Sequence, residues 1–283
     1  MPLLIAATPL GNPADASARL IAAIASAQII AAEDSRRFHR LASDLNVKFS
    51  ATIISFFEGN EEERTGEVLS LLKEGKEVLL ISDAGMPTIS DPGFKLIRAA
   101  IGEGIALTVL PGPSAVTTAI ALSGFPTDRF AFEGFAPRTS GAREKFYEEL
   151  RFESRTTVFF EAPHRLVDSL ATAEKVLGSD REICICRELT KQYEEIVRMS
   201  LGDAVKWSQS KEMLGEITIV LAGVEAIAQA KSEAEIVARV KSLEGVGMER
   251  KAAISAVADE MGIPKRLIFD AMVAAKSTES DLN

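Results

Sequence analysis

Glu77-Val78-Leu79-Leu80-Ile81-Ser82-Asp83-Ala84-Gly85-Met86-Pro87-Thr88-Ile89-Ser90-Asp91-Pro92-Gly93 is the stretch that decides the fold. A short apolar run ends at Ser82 and reads as a buried strand. A helical pattern begins at Gly93 and runs to Gly102. Between them, two glycines, two prolines and two aspartates pin an extended loop and leave backbone N–H and C=O groups free to meet a ligand. The bland alternative is a solvated loop closed by Asx-turns.

The same unit repeats on either side. Leu3–Thr8, Ile29–Ala32 and Ala106–Leu110 read as strands, and Asp15–Ala27, Ser35–Asp44 and Glu61–Glu74 as helices. Strands alternating with helices predict an α/β first lobe with a mostly parallel sheet, residues 1–112. A second α/β lobe, 113–223, starts with a helix near Ser114. Its strands are Arg129–Glu133, Thr156–Glu161, Glu182–Arg187, Glu195–Met199 and Glu216–Leu221. Only Leu189–Glu194 separates two of these, too little for a helical crossover, so that sheet is expected to be mixed. Residues 224–283 read as a helical appendage with helices at Ala234–Ser242, Met248–Met261 and Pro264–Ala275. Gly262 ends one helix and Pro264 starts the next, which gives a helix–turn–helix look. The polar tail from Ser277 is expected to fray.

Composition narrows the classes. The chain has 283 residues, 47% hydrophobic and 26% charged, with 19 Gly and 11 Pro, which excludes disorder and collagen-like structure. Thirty-two Lys and Arg against 41 Asp and Glu give a net charge of -9. That excludes a uniformly basic nucleic-acid binder but not a local basic patch. Cys184 and Cys186, next but one on a strand, point the same way, do not suit a disulfide and are too few for a closed zinc site. They read as buried thiols, which fits a reduced, cytoplasmic protein. Met1-Pro2-Leu3-Leu4-Ile5 lacks a basic start and reads as a first strand rather than a signal peptide. Ile105 to Phe125 carries no charge, but Pro111-Gly112-Pro113 breaks it, so strand–loop–helix is expected rather than a membrane span.

Four loops lie at the carboxyl ends of expected strands, where α/β sheets hold ligands. Besides the long loop after Ser82 they are Thr8-Pro9-Leu10-Gly11-Asn12-Pro13-Ala14-Asp15, Pro111-Gly112-Pro113-Ser114-Ala115 and Glu161-Ala162-Pro163-His164-Arg165. The first could equally be an ordinary strand–helix turn capped by Asp15. The helix after Ser114 has small side chains, which suit either close ligand approach or tight packing. His164 suits a helix cap as well as a catalyst. Aspartates in the long loop argue against a phosphate cradle and for a hydroxyl-rich or cationic ligand. No Gly-x-Ser-x-Gly elbow, Walker A loop or zinc spacing is present, and no metal is expected.

Taken in order, Thr8-Pro-Leu-Gly-Asn, Ala32-Glu-Asp-Ser-Arg36, the Ser82–Gly93 loop, Pro111-Gly-Pro-Ser-Ala115, Glu161-Ala-Pro-His-Arg165 and Arg187-Glu-Leu-Thr-Lys191 resemble the tetrapyrrole-methylase-like, class III methyltransferases. Within them they resemble the branch that methylates the ribose 2′-hydroxyl of a decoding-centre cytidine in small-subunit ribosomal RNA. The resemblance implies a two-lobed enzyme, usually a homodimer, with S-adenosylmethionine in the cleft between the lobes. It places donor contacts at Leu10, at Ala84, Gly85, Met86 and Ile89, at Ser114 and Ala115, and at Glu161 and Leu189. Many tetrapyrrole relatives carry Pro at the Leu10 position and Gly-Gly-Asp where this chain has Ala84-Gly85-Met86. A sulfonium cation tolerates Asp83, Asp91 or Glu161 nearby, and Leu10, Met86 and Ile89 suit an adenine. The reaction would be attack of a ribose hydroxyl on the donor methyl, with positioning as the main catalytic device. Candidates for a base are His164, Glu161, Asp34 and Lys191, among which the sequence does not choose.

Local cations would serve RNA despite the net charge: Arg36, Arg37 and Arg40 around Phe38, Arg138 with Arg143 and Lys145, and Lys265 with Arg266. The implied partner is the small ribosomal subunit or its RNA, with no membrane. Two other readings remain: a methylase of a tetrapyrrole or other small substrate, and a ribosome-assembly protein without catalytic activity.

Overall fold

The computed structural model describes residues 2–224 and 233–280. Five short strands form one parallel sheet: β1 (Leu3–Ala6), β2 (Ile29–Ala32), β3 (Thr52–Ser55), β4 (Val78–Ile81) and β5 (Leu107–Leu110), in the order β3-β2-β4-β1-β5. Alternate side chains serve opposite faces. Leu3, Ile5 and Leu80 pack with Val68 and Leu72 of α3 (Glu61–Lys73) and with Leu96 and Ala100 of α4 (Phe94–Gly102). Ala6, Ile30 and Ile81 pack with Leu20 and Ile24 of α1 (Ala18–Ser26) and with Phe38 and Ala42 of α2 (Ser35–Asp44). Because β1 lies between β4 and β5, the loops leaving these three carboxyl ends are neighbours.

Two local expectations change. The helix expected from Asp15 starts later. Pro13–Asp15 is a separate 3-10 turn capped by Asn12, and Ser17 caps α1 by accepting from the Leu20 N–H at 3.0 Å. Ala16 between them is extended, so Asp15 cannot be the cap. β3 was not anticipated, because this edge strand is only partly buried and lacks a continuous apolar run.

The charge-free stretch folds as β5, a Pro-Gly-Pro turn and α5 (Ala115–Ser123). Among the described residues, no helix is long and apolar enough to cross a membrane.

The second sheet holds β6 (Phe130–Phe135), β7 (Thr156–Glu161), β8 (Glu182–Arg187), β9 (Glu195–Ser200) and β10 (Ile217–Leu221), in the order β6-β7-β10-β8-β9. It is mixed, as expected. β6 and β7 run parallel, β8 and β9 form an antiparallel pair, and β10 lies antiparallel between β7 and β8. On one face Tyr147 of α6 (Ser140–Leu150), Leu170 of α7 (Leu166–Leu177) and Leu201 of α8 (Leu201–Gln209) pack on Phe159, Ile185 and Ile219. On the other face the small side chains of α5 let Val116, Ala119 and Ile120 settle on Val158, Cys184, Cys186 and Val220, together with Leu10 from the first lobe. Both cysteines are buried free thiols.

The appendage is α9 (Glu233–Gly245), α10 (Arg250–Met261) and α11 (Lys265–Ser280), around Val240, Ala253, Val257 and Ile268. Gly262 stops α10 in the left-handed region, φ 64°. The tail expected to fray from Ser277 is helical through Ser280, and residues 281–283 lie outside the described residues. Asp259 of α10 pairs with Arg151 of the second lobe at 3.1 Å.

Candidate functional site

Two loops of the first lobe are stitched together before any ligand is considered. The Thr8 N–H donates to the Gly85 carbonyl at 2.8 Å, and the Gly85 N–H donates back to Thr8 at 3.1 Å. The Thr8 hydroxyl donates to the Ser82 carbonyl at 3.2 Å. At the far end of the long loop, buried Glu61 accepts from the Gly93 and Lys95 N–H groups at 2.9 and 3.1 Å. Within it, Thr88 and Ser90 hold φ of 76° and 62°. Such left-handed residues cost roughly 1–3 kcal/mol each and persist only where the surroundings enforce them. Across the cleft, the Asn12 N–H donates to the Thr190 hydroxyl at 3.2 Å, and Gly11 lies so close to Lys191 that a Cβ there would sit 2.1 Å from its Cγ.

These loops enclose a mainly apolar cavity of about 370 Å³. Leu10 enters it from the first turn, Ala84, Gly85, Met86 and Ile89 from the long loop, and Ser114 and Ala115 from the start of α5. Glu161 and Leu189 enter from the ends of β7 and β8. All nine residues named above as donor contacts therefore share one space. Sequence reasoning missed several others: Glu33, Arg37, Ser90, Phe135, and Gly215 to Thr218. Glu33 and Ser90 stood inside quoted motifs. Nothing in the sequence marked residues 215–218, which arrive at the amino end of an antiparallel strand.

The wall is acidic. Glu33, Asp83, Asp91, Glu161 and Glu216 face the cavity with Arg37 as the sole cation of the lining, and Arg37 lies 3.4 Å from Asp83. Asp83 also accepts from the Asp34 N–H at 3.0 Å, and Glu33 accepts from the Asp83 N–H at 3.1 Å. Burial pushes the Glu33 and Asp83 carboxyls above the usual carboxylate range. Burial, then the charge of Glu33, push Asp91 up to about 7, against an opposing contribution from the Ser82 hydroxyl. An apolar cavity with carboxylate walls suits a cation carrying a flat apolar group and repels a polyphosphate.

A second, more polar cavity of about 930 Å³ adjoins the first. Glu33, Ser90, Asp91, Phe135 and Ala162 line both, while Glu58, Arg138, His164 and Arg165 line only the second.

The four candidate bases are dispersed. His164 is exposed and lines the second cavity. Glu161 has a wholly buried side chain, and its Oε1 accepts from the Ala162 N–H and the Arg165 guanidinium, each at 2.7 Å. Asp34 caps α2 and is held down to about 2 by hydrogen bonds from Arg36. Burial would lower the Lys191 ammonium, but Glu188 and Glu216, at 2.8 and 3.1 Å, outweigh it and hold it above the usual lysine range.

The cations expected to meet RNA are also unequal. Arg40, Arg138, Lys265 and Arg266 are exposed. Arg36 is exposed but paired with Asp34 at 2.9 Å, and Arg37 faces the first cavity. Arg143 departs from the expectation. It is 7% exposed on the inner side of α6, where Tyr147 and Leu150 are also buried, so it is withdrawn from a phosphate backbone. Arg250, Lys251, Lys265, Arg266 and Phe269 border a shallow depression on α10 and α11.

Residues 2–205 match the family model described as Tetrapyrrole (Corrin/Porphyrin) Methylases. The chain is 46% identical over 275 residues to the Ribosomal RNA small subunit methyltransferase I of Mycobacterium tuberculosis, covering 97% of this chain and 95% of that one. The protein of that name from Thermotoga maritima is 44% identical over 223 residues, 79% of this chain and 99% of its own length. Among solved structures, the methyltransferase CobJ superposes with a TM-score of 0.60 at 19% identity, over 79% of this chain and 95% of that one. A uroporphyrin-III C-methyltransferase from Thermus thermophilus, complexed with S-adenosyl homocysteine, gives 0.53 at 16% identity, over 82% and 95%. At these identities the two structures speak for the fold alone.

Proposed function

The chain belongs to the tetrapyrrole (corrin/porphyrin) methylase family, and on that premise we propose that it is an S-adenosylmethionine-dependent methyltransferase of small-subunit ribosomal RNA, acting on the ribose 2′-hydroxyl of a decoding-centre cytidine. What carries the reading is the near full-length likeness to relatives named as small-subunit ribosomal RNA methyltransferases. The apolar cavity with carboxylate walls supports it. The donor supplies a methyl group activated by the positive charge on its sulfur.

In this reading Leu10, Met86 and Ile89 hold the adenosine, and Ala84, Gly85, Ser114 and Ala115 offer close backbone. Glu161, fixed by Arg165, and Leu189 close the space from the second lobe. The acidic wall stabilises the sulfonium and excludes nucleoside triphosphates. The second cavity receives the target nucleotide, with exposed Arg138 for phosphate and His164 for the sugar or base. The ordered loops hold the two reactants in line, so most of the acceleration is positioning. The reading also carries a cytoplasmic homodimer with lobes divided near residues 112 and 223.

Labelled donor offered in parallel to small ribosomal subunits, free ribosomal RNA and a tetrapyrrole tests this. Label on a ribose of the RNA is expected. Label on a base, or on the tetrapyrrole alone, would discard the reading.

Two variants probe the parts. His164→Ala should reduce turnover about five-fold, the worth of one hydrogen bond near 1 kcal/mol, with unchanged donor affinity by calorimetry. Equal turnover would remove His164 from the acceptor site. Replacing Lys265 and Arg266 by Ala should weaken RNA binding and lower the slope of log affinity against log salt by about 1–2. An unaltered slope would place the RNA elsewhere.

A further inference from the structure

Methyl transfer to a hydroxyl needs a place where donor and acceptor meet, and the cavities define it. Only residues lining both can face both reactants, and the ionisable ones are Glu33 and Asp91. The four bases suggested by sequence order all lie off this seam or are engaged. His164 lines only the acceptor side, Glu161 only the donor side, and Asp34 and Lys191 neither. Of the seam pair, Glu33 is tied to a fixed backbone donor, the Asp83 N–H, whereas Asp91 has as its hydrogen-bond donor the Ser82 hydroxyl, which can rotate away to its other acceptor, the Gly85 carbonyl. We propose that Asp91 is the general base that takes the proton from the attacking ribose hydroxyl.

The assignment rests on the ribose-methylation reading above. The bond from ribose oxygen to methyl carbon forms as the carbon–sulfur bond breaks, its electron pair staying on sulfur. The hydroxyl proton passes to an Asp91 carboxylate oxygen. The sulfonium and the carboxylate both end neutral, so a poorly solvated cleft favours the step, because annihilating opposite charges there relieves two desolvation costs. Asp91 is half-buried in the strained stretch between Thr88 and Gly93, whose end Glu61 anchors, so its place does not depend on the acceptor. The charged groups around it come from every side. Glu33, Asp83 and Glu216 surround it with negative charge, Arg37 is tied to Asp83, and Arg138, His164, Arg165, Glu58 and Glu61 share the acceptor cavity. Burial and that negative charge raise its basicity to about 7, the range in which a general base works best at neutral pH.

Asp91→Asn and Glu33→Gln are compared with the wild type in single-turnover transfer to the RNA across pH, with donor saturating. The bound sulfonium draws the Asp91 carboxyl down, so the wild-type rate should rise about tenfold per pH unit and level off on the acid side of pH 7. D91N should lose about 100-fold or more and lose the inflection, while binding the donor within a few-fold. E33Q should keep an inflection, moved to lower pH because one neighbouring negative charge is gone. A readout without donor accompanies this. A carboxyl raised in the folded state binds an extra proton from its unfolded value up to about 7, so the stability it contributes at low pH is lost as pH rises through that window. The Tm of D91N should therefore gain on the wild type from about pH 4 to about pH 7. Wild-type rate and inflection in D91N, loss of the inflection in E33Q, or parallel Tm curves would each overturn the assignment to Asp91. If the wild type itself places no methyl on ribose, the function reading falls first and takes this assignment with it.

Discussion

Replacing Arg165 by methionine should destabilise the protein by roughly 3–5 kcal/mol, the usual cost of stranding one partner of a buried ion pair. Glu161 has no solvent-exposed side-chain surface, and Arg165, 2.7 Å away, is its only cationic partner among the described residues. Its second oxygen and two of the Arg165 nitrogens have no hydrogen-bond partner, so the pair has no reserve to rearrange into. The pair also joins the two cavities, with Glu161 in the wall of one and Arg165 in the wall of the other. Urea unfolding should show a lower midpoint with an unchanged slope, and donor binding should weaken in parallel. Pairing Arg165→Met with Glu161→Leu should recover much of the stability but not the binding, because an apolar pair removes the stranded charge. A wild-type midpoint in the single variant would show that water reaches Glu161 and that the pair is not structural.

The second large effect is expected at Gly223. A Cβ at this position would lie 2.0 Å from the Ser154 carbonyl oxygen and 2.5 Å from its carbon. These are main-chain atoms, so no side-chain rotation relieves the clash. Gly223→Ala should cost at least the roughly 1–3 kcal/mol of an overpacked core, because the chain must part where β10 leaves the sheet. The adjoining hydrogen bond from the Val224 N–H to the Glu153 carbonyl, 2.9 Å, would break with it. Thermal unfolding and limited proteolysis after β10 would report the change. Native melting in the alanine variant would mean that the 153–155 turn yields freely.

Much of this molecule is readable without coordinates. Runs such as Val78–Ile81 and Ile29–Ala32 are apolar on both faces because helices cover both sides of a parallel sheet, and that forces the helix-strand alternation seen in the first lobe. The small side chains of α5 foretold a close approach, which proved to be its seat on the second sheet. Less regular positions were less legible. β3 is an exposed edge with little hydrophobic signal, and Arg143 looks like any surface arginine until α6 turns it inward.

The sequence by itself determined which loops leave the carboxyl ends of parallel strands, because strand direction and loop chemistry are local properties. Only the tertiary structure decided that β10 inserts antiparallel between β7 and β8, bringing Gly215 to Thr218 to the same cleft by its opposite end. Only the tertiary structure, too, placed Asp91 rather than Asp83 of the same loop where two cavities meet, with no ion-pair partner among the described residues. The physical reason is the same in both cases: strand order and side-chain burial are settled by contacts between segments far apart in the chain, and no local pattern records them.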